Sequence, residues 1–359
     1  MKKLLIILLI SISIYGQEER LELKGTLTHD FINNPIGGLQ NKTSSLSNLD
    51  LVLVLSLGSM GTFRFHSMFN NGESLSLRMG DLQVANNFEA SKGYSIYELW
   101  YQYNWKKGAF KIGQQDINST FQISTYGFSF INSSFGFTPD LAVNQAVSTF
   151  PSTSLGAYVN YELQQALQIR AGLFDGGPGW DTLRPWGERL EWDSEGGTFL
   201  IAELEWQKRG QHKVGWWQRR YAVGVNKSQG YYAIGDIPLT SKSIDDKGLG
   251  FFYQLAWAGK EAAVVNSYWG AGFLYRGVFT DNKDSFGIAF ANTQLSQSYR
   301  NQFSAAFPKS EQVWELTYRY QPLSYIRLQP NWQYVVNPAS DVNIPNASVW
   351  MLRIQIGAL

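Results

Sequence analysis

Two tryptophans fall on a face otherwise reserved for polar side chains. From 95 to 105 the chain sets Tyr97, Leu99, Tyr101, Tyr103 and Trp105 against Glu98, Trp100, Gln102 and Asn104. From 213 to 219 it sets Val214 and Trp216 against Lys213, Trp217 and Arg219. A ring sharing a face with charged groups forms an amphipathic surface: the ring covers apolar C–H groups, and the charges exchange hydrogen bonds with hydroxyls. Trp100 and Trp217 are therefore candidates for stacking on a solute, and Arg64, Glu98, Lys111, Arg219 and Arg319 for hydrogen bonds to it. Arg78 and Asp81, in the segment 74–81, are lesser candidates that reach toward the same space. The plainer alternative for each charge is pairing with another across the same wall, which stiffens it.

Enzymatic chemistry finds little support. His29, His66 and His212 are scattered without the spacing of a metal site. No glycine-rich phosphate loop or Gly-x-Ser-x-Gly elbow occurs. Glu203 and Glu205 share a strand face like a glycosidase pair, but no second motif accompanies them. No cofactor is expected.

The elements that must carry these residues are exported. Met1-Lys2-Lys3 is followed by an apolar run to Tyr15 and then Gly16-Gln17, the layout of a cleaved signal peptide over 1–16. That run is shorter than the roughly 20 residues of a spanning helix. The chain of 359 residues has no cysteine, which excludes a disulfide framework. Its net charge of +1 gives no footprint for nucleic acid. It holds 13 Trp and 19 Tyr, yet its mean hydropathy is −0.22. Polar on average but crowded with aromatics, it fits a transmembrane β-barrel with aromatic girdles at both interfaces.

Period-two alternation recurs along 17–359, which reads as one domain. Leu49 to Leu57 alternate cleanly, as do Leu249, Phe251, Tyr253, Leu255 and Trp257, and later Trp314, Leu316, Tyr318 and Tyr320. Ile326, Leu328, Pro330, Trp332 and Tyr334 oppose Arg327, Gln329, Asn331 and Gln333; Trp350, Leu352, Ile354 and Ile356 close the series. About fifteen such runs are visible, most near the 9–11 residues of a tilted membrane strand. Bacterial single-chain barrels carry an even number, so sixteen antiparallel strands are expected. A soluble sandwich also alternates. Here, however, one face carries charge strand after strand (Glu98, Lys111, Arg170, Glu203, Arg219, Arg276, Glu315, Arg319, Arg353) while the other is almost free of it. Short turns such as 106–108 and 208–211 also alternate with long segments near 71–94, 116–153, 175–196 and 222–247, the asymmetry of periplasmic turns and outer loops.

The segment 116–153 has no alternation of its own. It holds seven aromatic residues, no Lys or Arg, and only Asp116 and Asp140 as charges. Loops beyond about 15 residues are uncommon in compact domains, and an apolar one would be adhesive in water. Folding it into the lumen, where it narrows the channel, satisfies both constraints.

The chain resembles the carbohydrate-selective porins (OprB-like) of bacterial outer membranes. The resemblance rests on Tyr97-Glu98-Leu99-Trp100-Tyr101 followed by Lys111-Ile112-Gly113-Gln114. It extends to Phe130-Ile131-Asn132-Ser133-Ser134-Phe135-Gly136, Leu173-Phe174-Asp175-Gly176, Trp314-Glu315-Leu316-Thr317-Tyr318 and the run from Leu328 to Pro338. It implies a sixteen-stranded channel in the outer membrane that admits sugars by facilitated diffusion, for which Trp100 and Trp217 would stack on the C–H face of a sugar and Arg64, Glu98, Lys111, Arg219 and Arg319 would bond its hydroxyls. A departure is the terminal Leu359, where many such proteins end in an aromatic residue. The expected partners are a carbohydrate and outer-membrane lipid, with monomer and homotrimer both open. A general diffusion porin without a sugar site is the alternative within transport. A surface glycan-binding β-protein is the alternative outside it.

Overall fold

The computed structural model describes residues 12–15, 20–145, 147–177, 190–192, 196–221, 227–259, 264–281, 283–302 and 309–359. A four-residue strand, β1 (Ile12–Tyr15), pairs with the start of the next, Ile12 opposite Leu23 and Tyr15 opposite Arg20. The remainder of the expected signal peptide, 1–11 and Gly16, lies outside the described residues.

Sixteen antiparallel strands follow. They are β2 (Arg20–Ile36), β3 (Lys42–Ser56), β4 (Thr62–Gly72), β5 (Gly93–Trp105), β6 (Gly108–Gln115), β7 (Ser154–Gln164), β8 (Leu167–Asp175) and β9 (Thr198–Gln207). The series continues through β10 (Gln211–Arg220), β11 (Lys227–Pro238), β12 (Gly248–Ala258), β13 (Val265–Arg276), β14 (Asp284–Leu295), β15 (Ser310–Leu323), β16 (Ile326–Val336) and β17 (Ala347–Gly357). Each pairs with its sequence neighbour, and β17 pairs with β2, from Gly357 opposite Thr26 to Ser348 opposite Ile36. The barrel is closed, so no strand edge is left to be satisfied in lipid.

Alternation sorts the faces as the sequence pattern predicts. Trp269, Phe273 and Tyr275 of β13 are exposed on the outer face, while Tyr268 and Leu274 point inward and are buried. His29 continues the outward row of β2 with Leu27 and Phe31 and hydrogen-bonds Ser47 on β3 at 2.7 Å. It does not line the polar inner wall as its neighbour row does.

The strand absent from the visible runs is β11, inside the segment 222–247 expected to be a loop. Its outward row is Tyr231, Ala233, Gly235 and Ile237, and its inward row includes Tyr232, Ile234 and Asp236. Aromatic and aliphatic residues fall on both faces, so the contrast that marks a half-buried strand is lost. The inward ones are apolar because they pack on the loop inside the barrel, not on water. One consequence shifts the rims: 239–247 belongs with the short connections 57–61, 106–107, 165–166, 208–210 and 324–325, whereas 73–92 and 116–153 stand at the opposite end.

Candidate functional site: the lumen wall and its inward loop

The segment 116–153 lies within the barrel, and its aromatic residues form the lumen's apolar core: Phe121, Tyr126, Phe130 and Phe135 are all buried. Phe130 and Phe135 pack on Phe252 of β12, with ring centroids at 5.5 and 5.9 Å. Small residues in the wall make room. A Cβ on Gly250 would lie 2.2 Å from the ring of Tyr126, and one on Gly287 would lie 2.6 Å from Phe130.

A chain buried in a tight loop leaves backbone N–H groups without partners, and each costs free energy unless satisfied. Carboxylates of the wall satisfy them. Glu315 accepts from the N–H groups of Ile131 (2.6 Å) and Asn132 (2.9 Å). Asp236 accepts from Thr125 N–H (3.0 Å), Tyr126 N–H (2.9 Å) and the Ser124 hydroxyl (2.8 Å). Glu203 accepts from Gln122 N–H at 3.0 Å. Charge-assisted bonds of this kind are about twice as strong as neutral ones. Charges read in the sequence as facing water are, on these strands, anchors for the loop.

The second inward segment, 73–92, docks by the same device. Glu311 accepts from the N–H groups of Leu82 (2.8 Å) and Gln83 (2.9 Å). Asn86 donates to Asp30 at 2.7 Å, and Arg353 pairs with Asp30 at 2.8 Å. The two segments also join each other, with Ser133 N–H donating to the Val84 carbonyl at 3.0 Å and Asn87 N–H to that of Ile131 at 3.0 Å.

Four of the sequence candidates come together on the wall formed by β4, β5 and β6. Arg64 Nε donates to Glu98 at 3.0 Å. The Lys111 ammonium lies over the Trp100 ring at 5.2 Å and over Tyr158, on β7, at 5.3 Å. Trp100 is half-buried. A register shift between His66 and Ser67 turns both Tyr97 and Glu98 inward, the re-aiming that β-bulges provide. Glu98 accepts from Asp116 N–H at 3.2 Å, and Tyr97 donates its hydroxyl to Asp116 at 2.7 Å, so the base of the loop is tied to this patch. His66 joins through Asp50 at 2.9 Å.

The other candidates stand elsewhere. Trp217 is fully buried, stacked on Phe199 at 6.2 Å and donating its indole N–H to Asp140 of the loop at 3.1 Å. It has no face open to a sugar: alternation placed it inward correctly, but the loop covers it. Arg219 lies over Tyr221 at 4.9 Å and donates to the Gly196 carbonyl at 3.2 Å. Arg319 donates to Ser129 at 3.0 Å, near the short-turn end. Arg78 is ion-paired with Glu73, and Asp81 accepts from Ala85 N–H at 2.8 Å, both in the segment 73–92. Glu203 and Glu205 are held by Arg170 at 2.7 and 2.5 Å, a structural arrangement and not an acid–base pair.

Three loop carboxyls carry a burial signature. Desolvation pushes Asp140 up to about 7 and Asp116 up to about 6. Desolvation, with the nearby charge of Glu89, pushes Asp81 up to about 6. The sequence offered no signal for Tyr158 or for Arg276 and Arg327 as site residues beyond their inward phase, which dozens of residues share.

Comparison with known proteins follows the same architecture. A family model described as "Carbohydrate-selective porin, OprB family" matches residues 41–235 and 222–357. Porin B of Pseudomonas aeruginosa is 22% identical over 354 residues, covering 82% of this chain and 76% of that protein. The high-pH structure of Pseudomonas putida OprB superposes with a TM-score of 0.79 at 16% identity, covering 94% of each chain. Salmonella typhi OmpF in complex with daunomycin gives 0.62 at 8% identity, covering 96% of this chain and 100% of that one.

Proposed function

The chain belongs to the OprB family of carbohydrate-selective porins, channels of the outer membrane and not enzymes, and we propose that its sugar contact is the patch Arg64–Glu98–Trp100–Lys111. The observation that carries this is the assembly of an ion pair, a half-buried indole and a lysine held over two rings on one stretch of lumen wall. The Trp100 ring takes the C–H face of a sugar and the Arg64 guanidinium meets its hydroxyls, while the buried Glu98 and Lys111 hold Arg64 and the indole in place. Tyr158 holds Lys111 from the other side. The site is weak by design, because a transported solute must leave as readily as it enters.

The segment 116–153 narrows the lumen beside this patch and sets the size of what passes. The leader 1–16 is removed on export, leaving 17–359 as the barrel. One chain closes a complete barrel, so it is the conducting unit in a monomer or a homotrimer.

The test is sugar block of ion current through the channel in a planar bilayer. A ring stack is worth about 1 kcal/mol, so Trp100→Ala is expected to raise the half-blocking glucose concentration about fivefold. Unchanged block in a folded, conducting Trp100→Ala channel would remove the patch from the sugar path.

A further inference from the structure

On the opposite wall, at the short-turn end, a cavity of about 210 Å³ opens below the inward loop. Its lining includes Arg276, Arg319, Arg327, Lys283 and the hydroxyl residues Ser129 and Ser285. The strand register puts Arg276, Ser285 and Arg319 in one row across β13, β14 and β15, and Arg327 enters from the start of β16.

The charges here are not balanced. Arg276 pairs with Asp245 at 3.3 Å. Asp284 is occupied by its own turn, accepting from Phe279 N–H (2.9 Å), Thr280 N–H (3.3 Å) and the Tyr318 hydroxyl (3.0 Å). Among the described residues, Arg319 donates only to the Ser129 hydroxyl at 3.0 Å. Arg327 donates to the neutral amides of Gln355 (3.2 Å) and Gln321 (3.4 Å). Among the described residues, neither Arg319 nor Arg327 has a carboxylate within ion-pair distance. Elsewhere on the lumen wall, Arg353 has one and Arg170 has two. Two guanidinium forks with unused donors, hydroxyls beside them and room for a monosaccharide make a receptor for an acidic group on a sugar.

We propose that this pocket is a subsite for acidic sugars, the Arg319 and Arg327 forks gripping a carboxylate or phosphate while Ser129 and Ser285 meet the hydroxyls. It rests on the channel's passing sugars but not on the Trp100 patch. The subsite extends the solute range from neutral to anionic carbohydrates. It places their strongest contact on the side that, by its short turns, faces the periplasm.

The experiment is block of single-channel current by glucuronate, glucose 6-phosphate, glucose and acetate, in the wild-type channel and in R319Q/R327Q. Glucuronate, glucose 6-phosphate or both should half-block at a concentration at least about tenfold below that of glucose, and the ratio should fall to near one in R319Q/R327Q while glucose block stays put. The two acidic sugars separately report a carboxylate or a phosphate preference. R319K, which keeps charge but loses the fork, should fall between. Conduction by the variants establishes that they fold. Three results would overturn the proposal: neither acidic sugar blocking better than glucose, acid block surviving R319Q/R327Q, or acetate blocking as well as glucuronate. If glucose itself never blocks, the neutral sugar patch fails, and the acidic-sugar comparison still stands on its own.

Discussion

Replacing Glu315 with Gln keeps the shape of the anchor and changes its chemistry. The native carboxylate, fully buried, accepts two backbone N–H bonds from the loop at 2.6 and 2.9 Å and a third bond from the Asn331 amide. The amide of Gln turns one acceptor into a donor that faces a donor, and the remaining bond loses its charge assistance. Hydrogen bonds to charged groups contribute about 1.5–3 kcal/mol each, and an orphaned buried donor costs a similar amount. The expected loss of docking free energy is therefore about 3–4 kcal/mol, more than two powers of ten in the docked-to-undocked ratio. Asp236 and Glu203 still hold residues 122–126, so the stretch around 128–137 should loosen while the first part of the loop stays. In single-channel recordings this predicts openings to larger conductance substates and a relaxed size limit for solutes. Protease added to the reconstituted channel should also cut within 128–137 faster than in wild type. Glu22→Gln, altering a half-exposed pair with Arg20 and Lys24, is the control. A folded Glu315→Gln channel with wild-type conductance, noise and protease resistance would refute the claim that wall carboxylates pin the loop.

Other perturbations probe the same packing. Gly250→Val drives a side chain into the ring of Tyr126; overpacking of this kind costs about 1–3 kcal/mol, seen as a lower unfolding temperature and altered conductance. Trp217→Ala should destabilise the barrel by about 3–5 kcal/mol through the vacated volume, and Trp217→Phe by less, while glucose block in folded channels changes less than about twofold because no sugar reaches that ring. Asp81, Asp116 and Asp140 are all raised from 3.8 in the folded state. Between their ordinary and raised values the folded chain binds more protons than the unfolded one, so stability is fullest below about 4 and is lost as pH rises through about 6–7. Thermal unfolding in detergent should have its midpoint at higher temperature at pH 5 than at pH 8, and Asp140→Asn should flatten that difference; a rise of midpoint with pH would contradict the sign.

What the sequence disclosed follows from which force dominates at each position. Outer-face residues meet one solvent, lipid, so Trp269, Phe273 or Trp350 announce their strands without ambiguity. Inner-face residues meet either water or the loop, and a single chain does not say which. For that reason β11 was invisible, its inward Tyr232 and Ile234 serving the loop, and for the same reason Trp217 looked like a sugar platform when it is a loop anchor. Glu315 and Glu203 were legible as inward charges, and Asp236 was hidden with its strand; the task of all three depends on long-range partners such as Ile131, 184 residues from Glu315 along the chain. Arg64, Glu98, Trp100 and Lys111 were legible one by one from their inward phase, but that they meet depends on the register of β4, β5 and β6, because the long segment 73–92 separates Arg64 from the other three along the chain. The pocket at Arg319 needed the closed barrel to gather four strands.

The most direct test is glucose titration of single-channel current in the wild-type protein alongside Trp100→Ala. A loop-narrowed channel with a sugar patch predicts saturable block in the wild type and a half-blocking concentration about fivefold higher in the variant. Steady conductance with no block at any glucose concentration would contradict it and leave a pore that sugars cross without binding.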